Sequence, residues 1–163
     1  MSTHLGSSLP PELVDYFSGD DLEAKVNQAC VLVTLGADGF PHPCLVTAGE
    51  LVAVGPDLLR VALYTESSAT RNLRERGVGT LCHVNRGAAY YVKVEASPVA
   101  VTDEALRGLA VFTLIPRQVL RDAEEGTRVT SGFRFADSAG PRARVAAWRA
   151  IVAALRTSFL PPE

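Results

Sequence analysis

Cysteine is scarce in this sequence. The 163 residues include only Cys30, Cys44 and Cys82, an odd number with no C-x-x-C pair. This argues against a disulfide scaffold and against a zinc knuckle. All three lie in apolar runs, which is typical of buried free thiols in a reducing compartment. We therefore expect a cytoplasmic protein.

The sequence also lacks an excess of charge and any long apolar run. Its formal net charge is −2, whereas a domain that binds nucleic acid is usually strongly basic. The longest apolar stretches, such as residues 109–115, are far shorter than the roughly 20 residues needed to span a bilayer. Residues 1–6 contain no basic cluster followed by an apolar run, so we expect no signal peptide. Neither nucleic acid nor a membrane is an expected partner.

Several motifs that carry well-known chemistry are missing. Neither G-x-x-x-x-G-K-[ST] nor G-x-G-x-x-G occurs, which excludes a P-loop and a Rossmann site. The serine pair at 67–68 lacks the G-x-S-x-G elbow of a nucleophile. The histidines are His4, His42 and His83, and none has a partner at metal-ligand spacing. We expect no metal site.

What the sequence does contain is a globular composition and a series of short apolar runs. Hydrophobic residues make up 47% and charged residues 21%, which is ordinary for a folded domain. We expect a flexible N-terminal segment over residues 1–9 and a single domain over residues 10–160. Predicted strands lie at 29–35, 41–47, 50–54, 58–65, 80–85, 89–96 and 128–135.

The remaining segments complete the predicted fold. Residues 111–120 are predicted as an edge strand, because Pro116 cannot donate to a ladder. Helices are predicted at 10–17, 22–28, 67–77 and 140–156. The last carries an apolar stripe of Val145, Trp148, Val152 and Leu155. Short antiparallel strands with few helices predict a mainly β protein, a closed or nearly closed barrel.

The stretch YTESSATRN at 64–72 is the strongest local candidate for a binding site. A predicted strand runs here into a helix whose first turn carries several hydroxyls and Arg71. The free N–H groups at a helix N-terminus suit a phosphate, and a guanidinium can bind phosphate oxygens in bidentate fashion. The alternative is plain capping, because serine and threonine are preferred N-caps without any ligand.

A second candidate is the hairpin DGFPHP at 38–43. Pro41 and Pro43 cannot donate to a ladder, so this strand starts at an edge or a bulge. Backbone groups of its neighbour are then free to meet a flat ligand or another subunit. The alternative, which the residues alone favour, is an edge strand protected by prolines against aggregation.

Together these segments resemble the pyridoxamine 5′-phosphate oxidase-like family of FMN-binding split barrels. The resemblance runs from about residue 11 to residue 155. It is carried by VLVTLGADGFPHP at 31–43, TAGELVAV at 47–54 and ALYTESSATRNL at 62–73. It implies a six-stranded antiparallel split barrel of Greek-key-like connectivity, with N-terminal helices and a C-terminal helix. It also implies a homodimer with FMN at the subunit interface.

The resemblance also implies which residues bind the cofactor. The flavin ring would lie along the strand of His42, Pro43, Cys44, Leu45, Val46 and Thr47. The phosphate would be held by Thr65, Ser67, Ser68, Thr70, Arg71 and Asn72. The implied activity is that of an oxidoreductase, which moves hydride between a reduced nicotinamide or a small substrate and the flavin. Because the flavin carries the redox chemistry, we expect no side chain to act as general acid or base.

The chain departs from true pyridoxamine phosphate oxidases at two places. Those enzymes carry R-x-V-L-L-K on the flavin strand, where this sequence has HPCLVT at 42–47, and a C-terminal R-x-H that has no match after Arg134. The departures argue against oxidation of pyridoxamine phosphate itself. With these departures, the chain resembles a short branch of the family whose members reduce flavin, use F420 or haem, or bind FMN without turnover. The alternative is therefore a non-enzymatic dimer that binds flavin, F420 or haem, with His42 or His83 as the haem ligand.

A third hypothesis makes the C-terminal helix an interaction surface. Arg142, Arg149 and Arg156 recur every seven residues, so they would form one basic stripe. The simpler interpretation is a solvated outer face, which most surface helices have.

Overall fold

The computed structural model describes residues 2–136, 138 and 140–157. Its strands are β1 (Ser2–Gly6), β2 (Gln28–Leu35), β3 (Pro41–Thr47), β4 (Leu51–Gly55), β5 (Leu58–Tyr64), β6 (Val78–Asn85), β7 (Ala88–Val99), β8 (Leu109–Asp122) and β9 (Phe133–Arg134). Its α-helices are α1 (Pro11–Tyr16), α2 (Ser68–Arg76) and α3 (Pro141–Thr157), and 3₁₀ turns cover Leu22–Lys25 and Glu104–Leu106. Within these described ranges, no helix is long and apolar enough to cross a membrane.

The strands form one antiparallel sheet that curls around the core. Its order is β3-β2-β6-β7-β8-β5-β4, with β1 beside β8 and β9 beside β2. β3 and β4 are the two ends of this order, yet only residues 48–50 separate them in the chain. The short connection keeps the two end strands near each other, so the sheet curls into a barrel that is split between β3 and β4. The predicted mainly β fold with flanking helices is confirmed. The sheet has more strands than the predicted six, in part because it takes in β1 and the two-residue β9.

β8 is a central strand and not the edge strand predicted for residues 111–120. It pairs with β7 along one side and with β5 and β1 along the other. Pro116 is tolerated because the ladder to β7 shifts register there, passing from Pro116 to Gln118 and skipping Arg117. The proline also lies between Leu114, the last partner of β5, and Val119, the first partner of β1. A bulge in a long strand thus places the proline where no ladder N–H is needed.

Three other predicted segments differ from the structure. The helix predicted at 22–28 is only a 3₁₀ turn over Leu22–Lys25, and Gln28 already belongs to β2. Residues 2–6, which we expected to be flexible, form β1 and cover a stretch of β8 that β5 does not reach. Of the strand predicted at 128–135, only β9 is formed, because it pairs with just Gln28 and Ala29 of β2. The domain range 10–160 stays a prediction; its residues 158–160, like Met1 of the flexible segment, lie outside the described residues.

Two apolar clusters stabilise the fold. The larger one fills the interior of the curled sheet around the fully buried Phe112 and Leu114. The smaller one lies on the opposite face of β4, β5 and β8, where α3 packs. The predicted apolar stripe of α3 is confirmed, because its four residues are all buried in this smaller cluster.

Two arginines of α3 attach the helix to the N-terminal region. Arg149 forms an ion pair with Glu23. Arg156 donates to the Ser18 carbonyl oxygen and, at 3.0 Å, to a carboxylate oxygen of Asp20. Two of the three arginines therefore have partners within the chain, which favours the simpler interpretation of a solvated outer face. The interaction surface stays a hypothesis.

Candidate functional site

The start of α2 lies beside β3, as the resemblance implies. The helix packs against β2 and β3. Its N-cap is Ser67, whose Oγ accepts a hydrogen bond from the backbone N–H of Thr70 at 3.1 Å. It ends before Gly77, whose φ of 65° is the left-handed conformation that glycine adopts without strain. The predicted helix, with a hydroxyl at one end and a glycine at the other, is confirmed.

Three cavities surround the junction between β3 and α2. The first, about 320 Å³, lies between the hairpin at 36–41 and Arg71. The second, about 160 Å³, lies between β3 and the start of α2, and the third, about 300 Å³, lies on the side of α2 that carries Arg71 and Arg74. His42 and Ser68 border the first two, and Arg71 borders the first and third. The shared residues place the cavities side by side.

Most of the residues predicted to bind the cofactor meet at these cavities. The bordering ones are His42, Cys44, Leu45, Thr65, Ser67, Ser68, Arg71 and Asn72. The structure thus brings the strand predicted for the flavin ring next to the segment predicted for the phosphate. The residues that border none of these cavities are Pro43, Val46, Thr47 and Thr70.

Three of the residues away from the cavities have structural contacts instead. Val46 is fully buried in the core. The N–H and hydroxyl of Thr47 donate to Oε2 of Glu50 at 2.8 and 2.7 Å. The fully buried hydroxyl of Thr70 donates to the Tyr64 carbonyl oxygen at 2.8 Å. For Thr70, the capping interpretation accounts for the side chain without a ligand.

A hydrogen-bond relay joins α2 to β2 and to the neighbouring strand β3, which borders two of the cavities. Nδ2 of Asn72 donates to Oγ1 of Thr34 at 2.9 Å, and that hydroxyl donates to the His42 carbonyl oxygen at 3.2 Å. Asn72 and Thr34 are both buried, so the relay is shielded from water. Sequence reasoning missed Thr34. Its signal was a hydroxyl inside the otherwise apolar run of β2.

The charges at the junction have both signs. Arg71 and Arg74 bring guanidinium groups, and the bordering carboxylates are Asp38, Glu50, Glu66 and Glu75. An anion would therefore be held chiefly at Arg71, which borders two cavities. Burial and the nearby charge of Glu50 raise the pKa of Cys44 to about 11. Its thiol stays protonated at neutral pH and is a poor nucleophile.

The two histidines named as haem ligands lie in different places. His42 borders the first two cavities. His83 is buried, packs against the rings of Tyr16 and Phe17, and borders none of the three. The structure therefore does not bring them to one site.

Comparison with solved structures defines the class of fold. A candidate pyridoxamine 5′-phosphate oxidase from Lactobacillus delbrueckii matches with a TM-score of 0.57 and 21% identity, over 71% of this chain and 97% of that one. The conserved hypothetical protein Rv2991 from Mycobacterium tuberculosis matches with a TM-score of 0.53 and 14% identity, over 85% of this chain and 99% of that one. The fold is the split barrel of the pyridoxamine 5′-phosphate oxidase-like proteins, and the resemblance seen in the sequence is confirmed.

Comparison of sequences then gives the family. No family model matches the chain. The uncharacterized protein YclD of Bacillus subtilis (strain 168) is 31% identical over 123 residues, which cover 76% of this chain and 80% of YclD. The chain belongs to the same family as YclD.

Proposed function

We propose that the chain is an FMN-binding flavoprotein and an oxidoreductase whose substrate is not pyridoxamine phosphate. One observation carries the proposal. β3, which the resemblance pairs with the flavin ring, and the first turn of α2, which it pairs with the phosphate, border the same two cavities, and Arg71 borders one of them. The split-barrel fold supports the same assignment.

The residues at the junction fit such a cofactor. Ser68 and Arg71 are exposed at the start of α2, where they and the free N–H groups of the helix would hold the phosphate. His42, Cys44 and Leu45 follow one another along β3 and would border the ring. FMN would supply the hydride chemistry, while the chain orients it and limits its contact with water.

The first test is binding of FMN to the purified chain. We expect FMN to raise the Tm, because a ligand selective for the native state stabilises it. Arg71→Gln is expected to weaken FMN binding about 10- to 100-fold, since a charge-assisted contact is worth about 1.5–3 kcal/mol. Fluorescence titration measures both affinities.

The matched control is Arg76→Gln. Arg76 lies in the last turn of the same helix and borders none of the three cavities. Its replacement should change FMN affinity less than about twofold, because Arg76 is exposed and an exposed charge contributes little. The proposal would be contradicted if FMN left the Tm unchanged, or if Arg71→Gln and Arg76→Gln lost the same FMN affinity.

Reduction of the bound flavin separates an oxidoreductase from a binding protein. We expect NADH or NADPH to bleach the visible absorbance of the FMN-loaded chain in anaerobic stopped-flow. If neither does, the non-enzymatic alternative is favoured. A Soret band that disappears in His42→Ala or His83→Ala would instead favour haem.

We also propose that the chain forms a homodimer whose interface includes the cofactor cavities. Phe40, Leu45 and Tyr64 border these cavities and are 72, 54 and 71% exposed. Grouped exposed apolar side chains of this size mark an interaction surface. Leu45→Asp is expected to give a monomer, measured by light scattering after gel filtration. The control is Val54→Asp on the edge strand β4, where Val54 is 45% exposed; it should leave the dimer mass unchanged. A monomeric wild type, or the same molecular mass for both variants, would contradict the dimer.

A further inference from the structure

A second group of cavities lies where β6 separates from β2. The two strands pair from Thr34 and Gly79 to Val31 and Cys82. Beyond that point β9 lies beside β2 and pairs with Gln28 and Ala29 only. Because β9 is so short, the segment at 129–134 leaves a gap between itself and β6. The ladder is therefore interrupted here, and side chains border the gap.

Two cavities lie at this gap and share much of their lining. Their volumes are about 240 and 410 Å³. The shared residues are Ala29, His83, Val84, Ser131, Gly132 and Phe133. None of these borders the cavities around α2. The gap is thus a separate place in the fold from the proposed FMN site.

The two cavities differ in chemical character. The smaller one has a mainly polar lining, which includes Arg86 and Arg134. The larger one is bordered mainly by apolar side chains, among them Val31, Tyr91 and Phe133. A ligand that occupies both would therefore need an apolar body and an anionic head.

His83 is a buried side chain that lines both cavities. It is 7% exposed, with its ring centroid 4.2 Å from that of Tyr16 and 4.9 Å from that of Phe17. Its Nε2 is buried and has no hydrogen-bond partner among the described residues. Burial and the charge of Lys25 lower the pKa of His83 to about 4, so the ring is neutral at pH 7. Buried polar atoms are nearly always paired in folded proteins, so this nitrogen points to a missing partner.

We propose that the gap between β6 and β9 binds a small aromatic carboxylate. The ring would occupy the apolar cavity beside Val84 and Phe133, whose size suits a small-molecule ligand. The carboxylate would lie in the polar cavity and accept hydrogen bonds from Arg134. His83, whose Nε2 is buried away from both cavities, would donate to it only after its ring turns. Arg86 contributes less, because Asp15 lies 3.9 Å from its guanidinium.

The probe for this site is 2-naphthoate, titrated calorimetrically into the full chain at pH 7. Gly132→Leu is expected to weaken its binding about tenfold or more, because the new side chain would fill the shared space. A Cβ at Gly132 meets Val84 at 3.6 Å, which is ordinary contact, so the variant should fold. The matched control is Gly55→Leu, since a Cβ at Gly55 meets nothing within 4 Å and Gly55 borders neither cavity.

The charge of the ligand is tested separately. Arg134→Gln is expected to weaken 2-naphthoate binding about tenfold but to change the binding of the neutral naphthalen-2-ylmethanol less than twofold. No binding of 2-naphthoate at millimolar concentration, or binding that Gly132→Leu leaves intact, would overturn the proposal.

Competition separates this site from the proposed flavin site. Saturating FMN should change the affinity for 2-naphthoate less than twofold. Displacement of the probe by FMN would place it at the α2 cavities and overturn the second site. A chain that binds 2-naphthoate as described but ignores FMN would contradict the proposed function and leave this inference standing.

Discussion

Gly49→Ala is expected to lower the free energy of unfolding by about 3 kcal/mol, the range in which severe overpacking of a core falls. A Cβ at Gly49 would overlap Cγ, Cδ1 and Cδ2 of the Trp148 indole. That indole is 6% exposed and lies in the cluster that joins α3 to the sheet. The backbone at Gly49 does not need positive φ, so the cost comes from the displaced ring.

Urea denaturation measures this effect, and a double-mutant cycle identifies its cause. Trp148→Ala alone is expected to cost about 3–5 kcal/mol, as for other buried aromatic side chains. Adding Gly49→Ala to Trp148→Ala should then cost less than about 1 kcal/mol, because the clash is gone. Gly55→Ala is the matched control, since a Cβ there meets nothing within 4 Å. If Gly49→Ala and Gly55→Ala lowered the free energy of unfolding equally, overlap with the Trp148 indole would not be the cause of the loss.

This contact also shows what periodicity alone could predict. The spacing of Val145, Trp148, Val152 and Leu155 predicted α3 and its buried face, because an apolar stripe must be covered by something. It did not identify the surface that covers it. Gly49 lies between the strands predicted at 41–47 and 50–54, and nothing local pairs it with Trp148, which is 99 residues further along the sequence.

The same distinction holds for the candidate site. The hydroxyl cap, Arg71 and Gly77 of α2 were predictable because capping signals are local. The Asn72–Thr34 relay was not, since its side chains are 38 residues apart. For Pro116 the local rule gave a wrong prediction. It made the segment an edge strand, whereas a bulge allows the proline in a central strand. Local chemistry therefore predicted the elements, while the pairs that position them needed the tertiary structure.

Acidification is expected to destabilise the protein by about 3 kcal/mol through His83 between pH 6.5 and pH 4. Burial, and the charge of Lys25, lower the pKa of His83 from 6.5 to about 4. In the unfolded chain the imidazole binds a proton near pH 6.5, whereas in the native state it does so only near pH 4. Between these values the unfolded state holds more protons. Stability is therefore complete above pH 6.5 and falls as the pH is lowered to about 4.

Urea denaturation at several pH values between 7 and 4 isolates this contribution, because other groups titrate alike in wild type and variants. His83→Gln removes the ionisable group. The variant also loses the contacts of the imidazole with the rings of Tyr16 and Phe17, which lowers its stability at every pH. Its free energy of unfolding should therefore start lower at pH 7 but fall about 3 kcal/mol less toward pH 4 than that of wild type. His42→Gln is the matched control, since His42 is half-buried at the rim of a cavity and should keep the wild-type pH dependence. If His83→Gln also kept it, the imidazole could not be held neutral by its position between Tyr16 and Phe17, and a native partner for its charged form would have to exist.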